Sequence, residues 1–148
     1  MDYIGIDYGT KWLGLAWVSD ALNVVVPLKA LRVHSRAQII KDLQQVIFEK
    51  GCGAFVIGLP IHIDGTEGQR VKEVKHFAIL LKQNFKLPVY FQDERLSTQT
   101  ARTLTGTDNV SLRRSKAQKG KGAIDSAAAA VILEEWMGKN KNYQQQTV

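Results

Sequence analysis

Two short runs of consecutive apolar residues constrain the fold of this chain most. The first covers residues 54–59, and the second is Val89-Tyr90-Phe91, which begins a strand expected to end at Asp93. Short runs without polar alternation are typical of strands that are buried on both faces, as in parallel sheets covered by helices. Between them, apolar residues recur at helical spacing at Val71, Val74, Ala78, Leu81 and Phe85. The sequence therefore predicts a strand–helix–strand unit.

The segment before these runs predicts an antiparallel start to the sheet. Residues 3–8 and 12–18 have the pattern of two strands, and the turn signal between them contains Gly9. A third strand is expected over residues 23–33, where Pro27 marks an edge strand or a bulge. Three antiparallel strands followed by strand–helix alternation predict an α/β fold with a mixed five-stranded sheet and helices on both faces.

Helix signals complete the single domain, expected over residues 1–138. Ser35 begins the first helix as its N-cap, and Gly51 ends it. A short helix is expected to run from Leu96-Ser97-Thr98 through Leu104, and a last helix from about Ala123 to Met137. Residues 139–148 are polar and are predicted to form a flexible tail.

Three carboxylates occupy positions that favour a metal site. Asp7 closes the first strand, Glu94 follows the strand that begins at Val89, and Asp125 opens the last helix. Carboxylates gathered from distant segments supply the hard oxygen ligands that Mg²⁺ or Mn²⁺ prefers. Each also has a structural explanation: Asp7 as a turn residue, Glu94 as a cap or an ion-pair partner of Arg95, and Asp125 as a charge near a helix N-terminus.

The adjacent Asp93 and Glu94 point to opposite faces if the strand is extended, so only one of them can face Asp7. His62 lies in a loop and could donate a proton to a leaving group. A lone loop histidine is, however, more often polar surface.

The charge of the chain favours a polyanionic partner. The 148 residues carry a net charge of +6 and the pI is about 9.5. Residues 106–122 alone carry +4, flanked by glycines, which predicts a basic loop that contacts phosphates. The candidate nucleic-acid contacts in and near this loop are Arg113, Arg114, Lys116, Lys119 and Lys121; Lys11 and Arg95 are possible phosphate neighbours of the carboxylates.

The composition excludes several classes of protein. Cys52 is the only cysteine, which excludes an intrachain disulfide and a thiolate zinc site. No segment approaches the roughly 20 apolar residues of a membrane span, and charges at Asp2, Asp7 and Lys11 interrupt any signal-peptide stretch. We therefore expect a soluble, cytoplasmic protein without membrane partners.

Four motifs carry a resemblance to a known family. They are Asp7-Tyr8-Gly9-Thr10-Lys11, Gly58-Leu59-Pro60 with Asp64-Gly65-Thr66, Asp93-Glu94-Arg95-Leu96-Ser97-Thr98, and Lys121-Gly122 followed by Asp125-Ser126. In this order they resemble the YqgF/RuvX family of Holliday junction resolvases and pre-16S rRNA nucleases. The resemblance implies an RNase H-like fold and an acidic triad of Asp7, Glu94 and Asp125 that binds Mg²⁺ or Mn²⁺.

The expected function is divalent-metal-dependent hydrolysis of nucleic-acid phosphodiesters, with RNA favoured over a DNA junction and a monomer or weak homodimer as the assembly. Three alternatives remain. A Holliday junction resolvase would use the same triad. A non-catalytic RNA-binding module would have lost an acidic residue, and all three are present. An actin-like ATPase or sugar kinase would share the Asp-x-Gly-Thr opening but needs two such domains.

Overall fold

The computed structural model describes residues 1–62, 64–94 and 121–146, with the backbone alone for residues 121–125 and 141–146. Five strands and three helices lie in these ranges. In chain order they are β1 (Asp2–Tyr8), β2 (Trp12–Ser19), β3 (Val24–Arg32), α1 (Arg36–Lys50), β4 (Ala54–Leu59), α2 (Gln69–Phe85), β5 (Val89–Asp93) and α3 (Lys121–Gln146).

The strands form one mixed sheet in the order β3-β2-β1-β4-β5. The pairs β1–β2 and β2–β3 are antiparallel, whereas β1–β4 and β4–β5 are parallel. The predicted five-stranded sheet is thus confirmed, with β1 at its centre and β3, which contains Pro27, at an edge. Because β1, β4 and β5 run in the same direction, their carboxyl ends meet on one side of the sheet, called here the carboxyl edge.

The two faces of the sheet are packed differently. On one face, Ile4 and Ile6 of β1 belong to a core shared with residues of α1 and α2, such as Leu43 and Leu81. On the other face, α3 packs Ala129 and Leu133 against Ala16, Val18 and Val56. This confirms the expected helices on both faces. Side chains of β1 alternate between the two faces, because Tyr3 and Gly5 contact α3 while Tyr8 contacts Phe77 of α2.

Local signals set the bounds of α1 as predicted. The Ser35 Oγ accepts a hydrogen bond from the Gln38 N–H at 3.2 Å, which satisfies one of the donors that a helix start leaves unpaired. Gly51 has φ of 84° and its N–H donates to Ile47 O. Glycine adopts this left-handed conformation without a steric penalty, so the helix ends there.

The end predicted for the last helix was wrong. α3 begins at Lys121 and continues to Gln146, whereas the sequence indicated about Ala123 to Met137. Gly138 costs a helix only about 1 kcal/mol, and no proline follows it. Lys121 and Gly122 therefore belong to a helix and not to the predicted basic loop. The rest of that loop and the short helix near residue 100 lie outside the described residues, and flexibility of residues 139–148 stays a prediction.

Across the described ranges, none of the helices combines the length and the apolar character that crossing a membrane requires.

Candidate active site at the carboxyl edge of the sheet

Asp7 lies at the carboxyl edge, on the face of the sheet that α3 covers. It is the second-to-last residue of β1 and is half-buried opposite Gly14 of β2. Gly5, two residues earlier on the same face, lets α3 approach closely, because a Cβ there would lie 2.9 Å from both Ala129 O and Leu133 Cβ. The central strand therefore presents Asp7 beside the backbone of α3.

Glu94 reaches the same face from β5. Its N–H donates to Leu59 O at 3.1 Å, which fixes the residue directly after the strand. Its side chain extends over Gly58 of β4, because a Cβ at Gly58 would collide with Glu94 Oε1 and would lie 2.5 Å from Ile132 Cδ1 of α3. Gly58 thus provides the space that the Glu94 side chain occupies.

The register of the parallel strands brings Asp7 and Glu94 together. Ile6 of β1 pairs with Ile57 of β4, so the next residues along, Asp7 and Gly58, are neighbours. The Glu94 side chain lies over Gly58, and it is therefore beside Asp7 on the α3 face of the sheet. Two of the three carboxylates predicted from the sequence meet at one place.

The electrostatics of Glu94 agree with this proximity. The pKa of Glu94 is raised from 4.5 to about 7, chiefly by burial and next by the negative charge of Asp7. Asp93 and Glu135 act in the same direction, whereas the positive charge of Arg70 lowers the Glu94 pKa. A carboxylate that is desolvated and repelled by its neighbours favours its protonated form unless a cation lies nearby.

The backbone of α3 places Asp125 at about the same position along β1 as Asp7, near the carboxyl edge. The helix runs antiparallel to β1: the Trp136 ring lies 4.9 Å from the Tyr3 ring, and Ala129 lies at Gly5. Asp125 is four residues before Ala129, about 6 Å closer to the carboxyl edge. Because residues four apart share one helix face, its Cα lies on the stripe that packs on β1. The side chain of Asp125 lies outside the described residues.

Asp125 is also the fifth residue of α3 and does not open the helix, because α3 begins at Lys121. Stabilisation of the helix N-terminus by its charge is confined to the first turn, so that alternative explanation for Asp125 is weakened. Ser126, which follows it, is only 2% exposed, and its Oγ has no hydrogen-bond partner in the described part of the chain.

The donor set fits a hard divalent cation. Asp7 and Glu94 supply carboxylate oxygens at one edge, and their mutual repulsion is the kind that Mg²⁺ or Mn²⁺ neutralises. Within the ranges whose side chains are described, no three His, Cys, Asp or Glu residues form a metal-binding group. Asp125, the predicted third ligand, is not among those side chains.

A family model decides the identity. The model of the RuvX family, described as Holliday junction resolvase, matches residues 1–139. The chain belongs to the RuvX family. The predicted family is thereby confirmed.

Individual relatives agree with membership of RuvX. A protein of Anaeromyxobacter sp. named "Putative pre-16S rRNA nuclease" is 34% identical, over 93% of this chain and 96% of its own. A protein of Rhodobacter capsulatus with the same name is 37% identical, over 88% of this chain and 79% of its own. Among solved structures, T. thermophilus RuvC in complex with Holliday junction substrate matches with a TM-score of 0.55 and 16% identity, covering 90% of this chain and 91% of that chain. This likeness confirms the predicted fold.

The sequence did not reveal the role of Arg70 in this RuvX protein. Its Nη2 donates to the carbonyl oxygen of Tyr8, the residue after Asp7, and its guanidinium carbon lies 5.6 Å from the Tyr8 ring centroid. Its Nη1 also pairs with Glu73 at 3.3 Å. Arg70 therefore fastens the start of α2 to the end of β1 and brings a positive charge near Glu94. The only sequence signal was its place at the start of a helix that follows β4.

The other residues predicted from the RuvX resemblance and the charge pattern are located only in part. Lys11 lies exposed in the turn between β1 and β2, where its carbonyl accepts from the Val33 N–H at 2.8 Å. Lys121 lies in α3, and its side chain is not described. Arg95, Arg113, Arg114, Lys116 and Lys119 lie outside the described residues.

His62 is exposed in a turn in which its N–H donates to Thr66 O at 3.0 Å. Its ring faces the backbone of Gly68, where a Cβ would lie 2.7 Å from Nε2. No described contact connects His62 with Asp7 or Glu94, and a proton-donating role for it stays a prediction.

Proposed function

We propose that this protein is a divalent-metal-dependent nuclease that hydrolyses phosphodiester bonds in the precursor of 16S rRNA. The observation that carries the proposal is the meeting of Asp7 and Glu94 over Gly58, at the carboxyl edge of the central strands. Two half-buried carboxylates that repel each other are a costly arrangement for a structural role alone. The names of the relatives supply the substrate, and the positive net charge is compatible with it.

The residues of such a site would have different roles. Asp7, Glu94 and Asp125 would hold Mg²⁺ or Mn²⁺, which supplies activation of water and stabilisation of the leaving oxygen when bound. Asp7, near the end of the central strand β1, would contribute to any coordination that the carboxylates share. Glu94 would deliver its full charge only when its proton leaves, which a nearby cation favours. Arg70 keeps the Tyr8 backbone, and with it Asp7, in place.

Phosphate contacts would come from the cationic residues around the edge. Lys11 is exposed beside the end of β1, and Arg95 follows Glu94 directly in the chain. Contacts to the phosphate backbone hold a substrate without reading its bases, so they add affinity and not sequence specificity. The residues of the basic segment, from Arg113 to Lys121, would extend this surface.

A second candidate function is resolution of Holliday junctions, which the description of the family favours. A resolvase cuts two strands symmetrically and therefore usually acts as a two-fold dimer with two active sites. We favour the ribosomal RNA precursor because the relatives from Anaeromyxobacter and Rhodobacter, which this chain matches over most of their length, are named for that substrate. A monomer or weak homodimer in the cytoplasm is the corresponding assembly and location.

The test is cleavage by the purified protein with Mg²⁺ or Mn²⁺, on a precursor 16S rRNA fragment and on a four-way DNA junction. We expect metal-dependent cuts in the RNA. Asp7→Asn keeps the shape of the side chain and removes a ligand charge, so it should lower the rate by about a thousandfold or more. Glu94→Gln should lower the rate to a similar extent. Asp93→Asn is the control and should lower the rate less.

Two outcomes would contradict the proposal. An Asp7→Asn protein that cuts at nearly the wild-type rate would remove Asp7 from the site. A stable dimer that makes paired symmetric nicks in the junction and leaves the RNA intact would establish the resolvase function instead.

A further inference from the structure

A cavity of about 290 Å³ opens between the starts of α1 and α2, on the face of the sheet opposite α3. Its apolar lining comes from Tyr8, Ile39, Phe77 and Leu80, and the Tyr8 and Phe77 ring centroids are 4.7 Å apart. Ligand pockets of roughly 300–1,000 Å³ hold drug-sized molecules, so this cavity has room for one small group with an aromatic ring.

The rim of the cavity is cationic. Arg36 from the first turn of α1 and Lys72 from the first turn of α2 line it, and both are exposed. The acidic residue of the rim, Glu73, forms an ion pair with Arg70 at 3.3 Å. Aromatic and aliphatic side chains in the lining, together with two cationic side chains at the rim, complement a ligand that has an aromatic ring attached to a phosphate.

The cavity adjoins the carboxylate site at the carboxyl edge. Tyr8 follows Asp7 in β1, so the two side chains lie on opposite faces of the sheet at the same end of the strand. Arg70 lies between the cavity and the carboxylate site. It donates a hydrogen bond to the Tyr8 carbonyl, and its positive charge lowers the pKa of Glu94. A nucleic-acid strand that crosses the end of β1 would contact both.

We propose that this cavity binds one unpaired nucleotide of the RNA strand beside the scissile phosphate. The base lies against Tyr8 and Phe77, and the phosphate lies between Arg36 and Lys72. A paired base cannot enter a cavity of this size without leaving its duplex, so the cavity selects single-stranded RNA. This subsite rests on the proposed nuclease function and adds the strandedness of the substrate to it.

Binding without cleavage tests the subsite directly. The Asp7→Asn protein is used in EDTA to prevent cleavage, and its affinity for a labelled single-stranded RNA dodecamer is measured by fluorescence anisotropy over a range of salt concentrations. In this background, the double variant Arg36→Glu and Lys72→Glu should weaken binding about tenfold or more. It should also reduce the log–log salt slope by about 0.7 for each phosphate that the protein no longer neutralises.

The matched control is Lys82→Glu, which makes the same charge change on an exposed residue of the same helix. Lys82 lies ten residues from Lys72, about 15 Å along α2, and it does not line the cavity. It should change the affinity by no more than about twofold. If Lys72→Glu alone weakens binding no more than Lys82→Glu does, the subsite is refuted.

A second measurement locates the ligand. Backbone amide NMR shifts during titration with adenosine 5′-monophosphate should concentrate at Tyr8, Ile39 and Phe77. Shifts confined to other parts of the chain, or duplex RNA that competes as well as the single strand, would overturn the proposal. The nuclease function fails separately: if the wild-type protein cuts no RNA while the cavity variants still weaken binding, the subsite stands and the catalytic proposal falls.

Discussion

The two faces of the sheet differ in the size of the side chains that they pack against the helices. Against α1 and α2, the sheet presents large aliphatic side chains such as Ile4 and Ile6, which are completely buried. Against α3, it presents smaller side chains such as Ala16 and Val18 together with glycines, and Gly5 lets the helix backbone come so close that a single added Cβ would meet Ala129 O at 2.9 Å. The face covered by α1 and α2 is stabilised by the large apolar area that it buries. The face covered by α3 instead allows the backbones of the sheet and of α3 to lie close together.

The difference shows why the carboxylates lie where they do. Fully burying a large aliphatic side chain stabilises a fold by about 1.5–3 kcal/mol, so the α1 and α2 face carries most of the stability. The α3 face buries smaller side chains, but it brings three elements to Asp7: the end of β4, Glu94 after β5, and the first turns of α3. We expect substitutions on the first face to affect stability and substitutions on the second to affect activity.

The largest effect on stability should come from the first face. Leu43→Ala in α1 removes a fully buried side chain from the core that contains Ile4 and Ile6. The missing apolar packing and the remaining cavity should lower the free energy of unfolding by about 2–5 kcal/mol. Urea denaturation measures this decrease. At a temperature where the variant stays folded, its cleavage rate should match the wild type, and a large drop in that rate would contradict the separation between the faces.

The second face should respond in the opposite way. Gly58→Ala places a methyl group where Glu94 Oε1 and Ile132 Cδ1 lie. Both neighbours are ends of flexible side chains and can move, so we expect a modest loss of stability. The displaced Glu94 carboxylate should lower the cleavage rate about a hundredfold, the size of effect that a misplacement of about 1 Å produces.

Two measurements on the Gly58→Ala protein check this, namely kcat on the RNA fragment and the urea midpoint. Gly138→Ala serves as the control, because a Cβ there has nothing within 4 Å. A Gly58→Ala protein that loses stability but keeps its full rate would show that the position of Glu94 does not matter for cleavage.

The smallest effect should appear in the pH dependence of stability without divalent metal. The pKa of Glu94 rises from an ordinary 4.5 to about 7 in the folded chain. Between these values the unfolded chain has released the proton that the folded chain retains, so stability should fall as pH rises through this window. The slope from one such group is at most about 1.4 kcal/mol per pH unit. Urea denaturation in EDTA measures it.

Asp7→Asn should flatten this slope, because it removes the second-largest cause of the raised Glu94 pKa. Burial, the largest cause, remains, so part of the slope persists. Asp20→Asn is the control: Asp20 is a carboxylate near the chain N-terminus, which it approaches to 3.6 Å, and it is not among the causes of the Glu94 shift. Equal slopes in the wild type and Asp7→Asn would contradict the proximity of Asp7 and Glu94.

The sequence predicts the elements of this fold well where the signal is local. Ser35 and Gly51 mark the bounds of α1 because capping depends on the residues of one turn. Asp7 and Glu94 stand out because each follows an apolar strand. The end of α3 could not be located, since Gly138 resembles a stop signal but costs too little to break a helix that continues to Gln146.

Contacts between distant segments of the chain could not be predicted from the sequence. Arg70 and Tyr8 are 62 positions apart, and their contact depends on where α2 starts relative to β1. The space that Gly58 leaves for Glu94 depends on the parallel pairing of β4 and β5. Both contacts follow from the order of the strands in the sheet, which residue patterns limit but do not determine.

The central claim is that Asp7, Glu94 and Asp125 bind one divalent-metal centre at the carboxyl edge. Anomalous diffraction from crystals soaked in Mn²⁺ tests it most directly. The account predicts a manganese peak bonded to carboxylate oxygens of Asp7, Glu94 and Asp125, at about 2.0–2.2 Å as is usual for small hard divalent cations. The peak should be absent or strongly reduced in Asp7→Asn crystals. A fully occupied manganese site elsewhere on the chain, with none at Asp7 and with cleavage activity retained, would contradict the account.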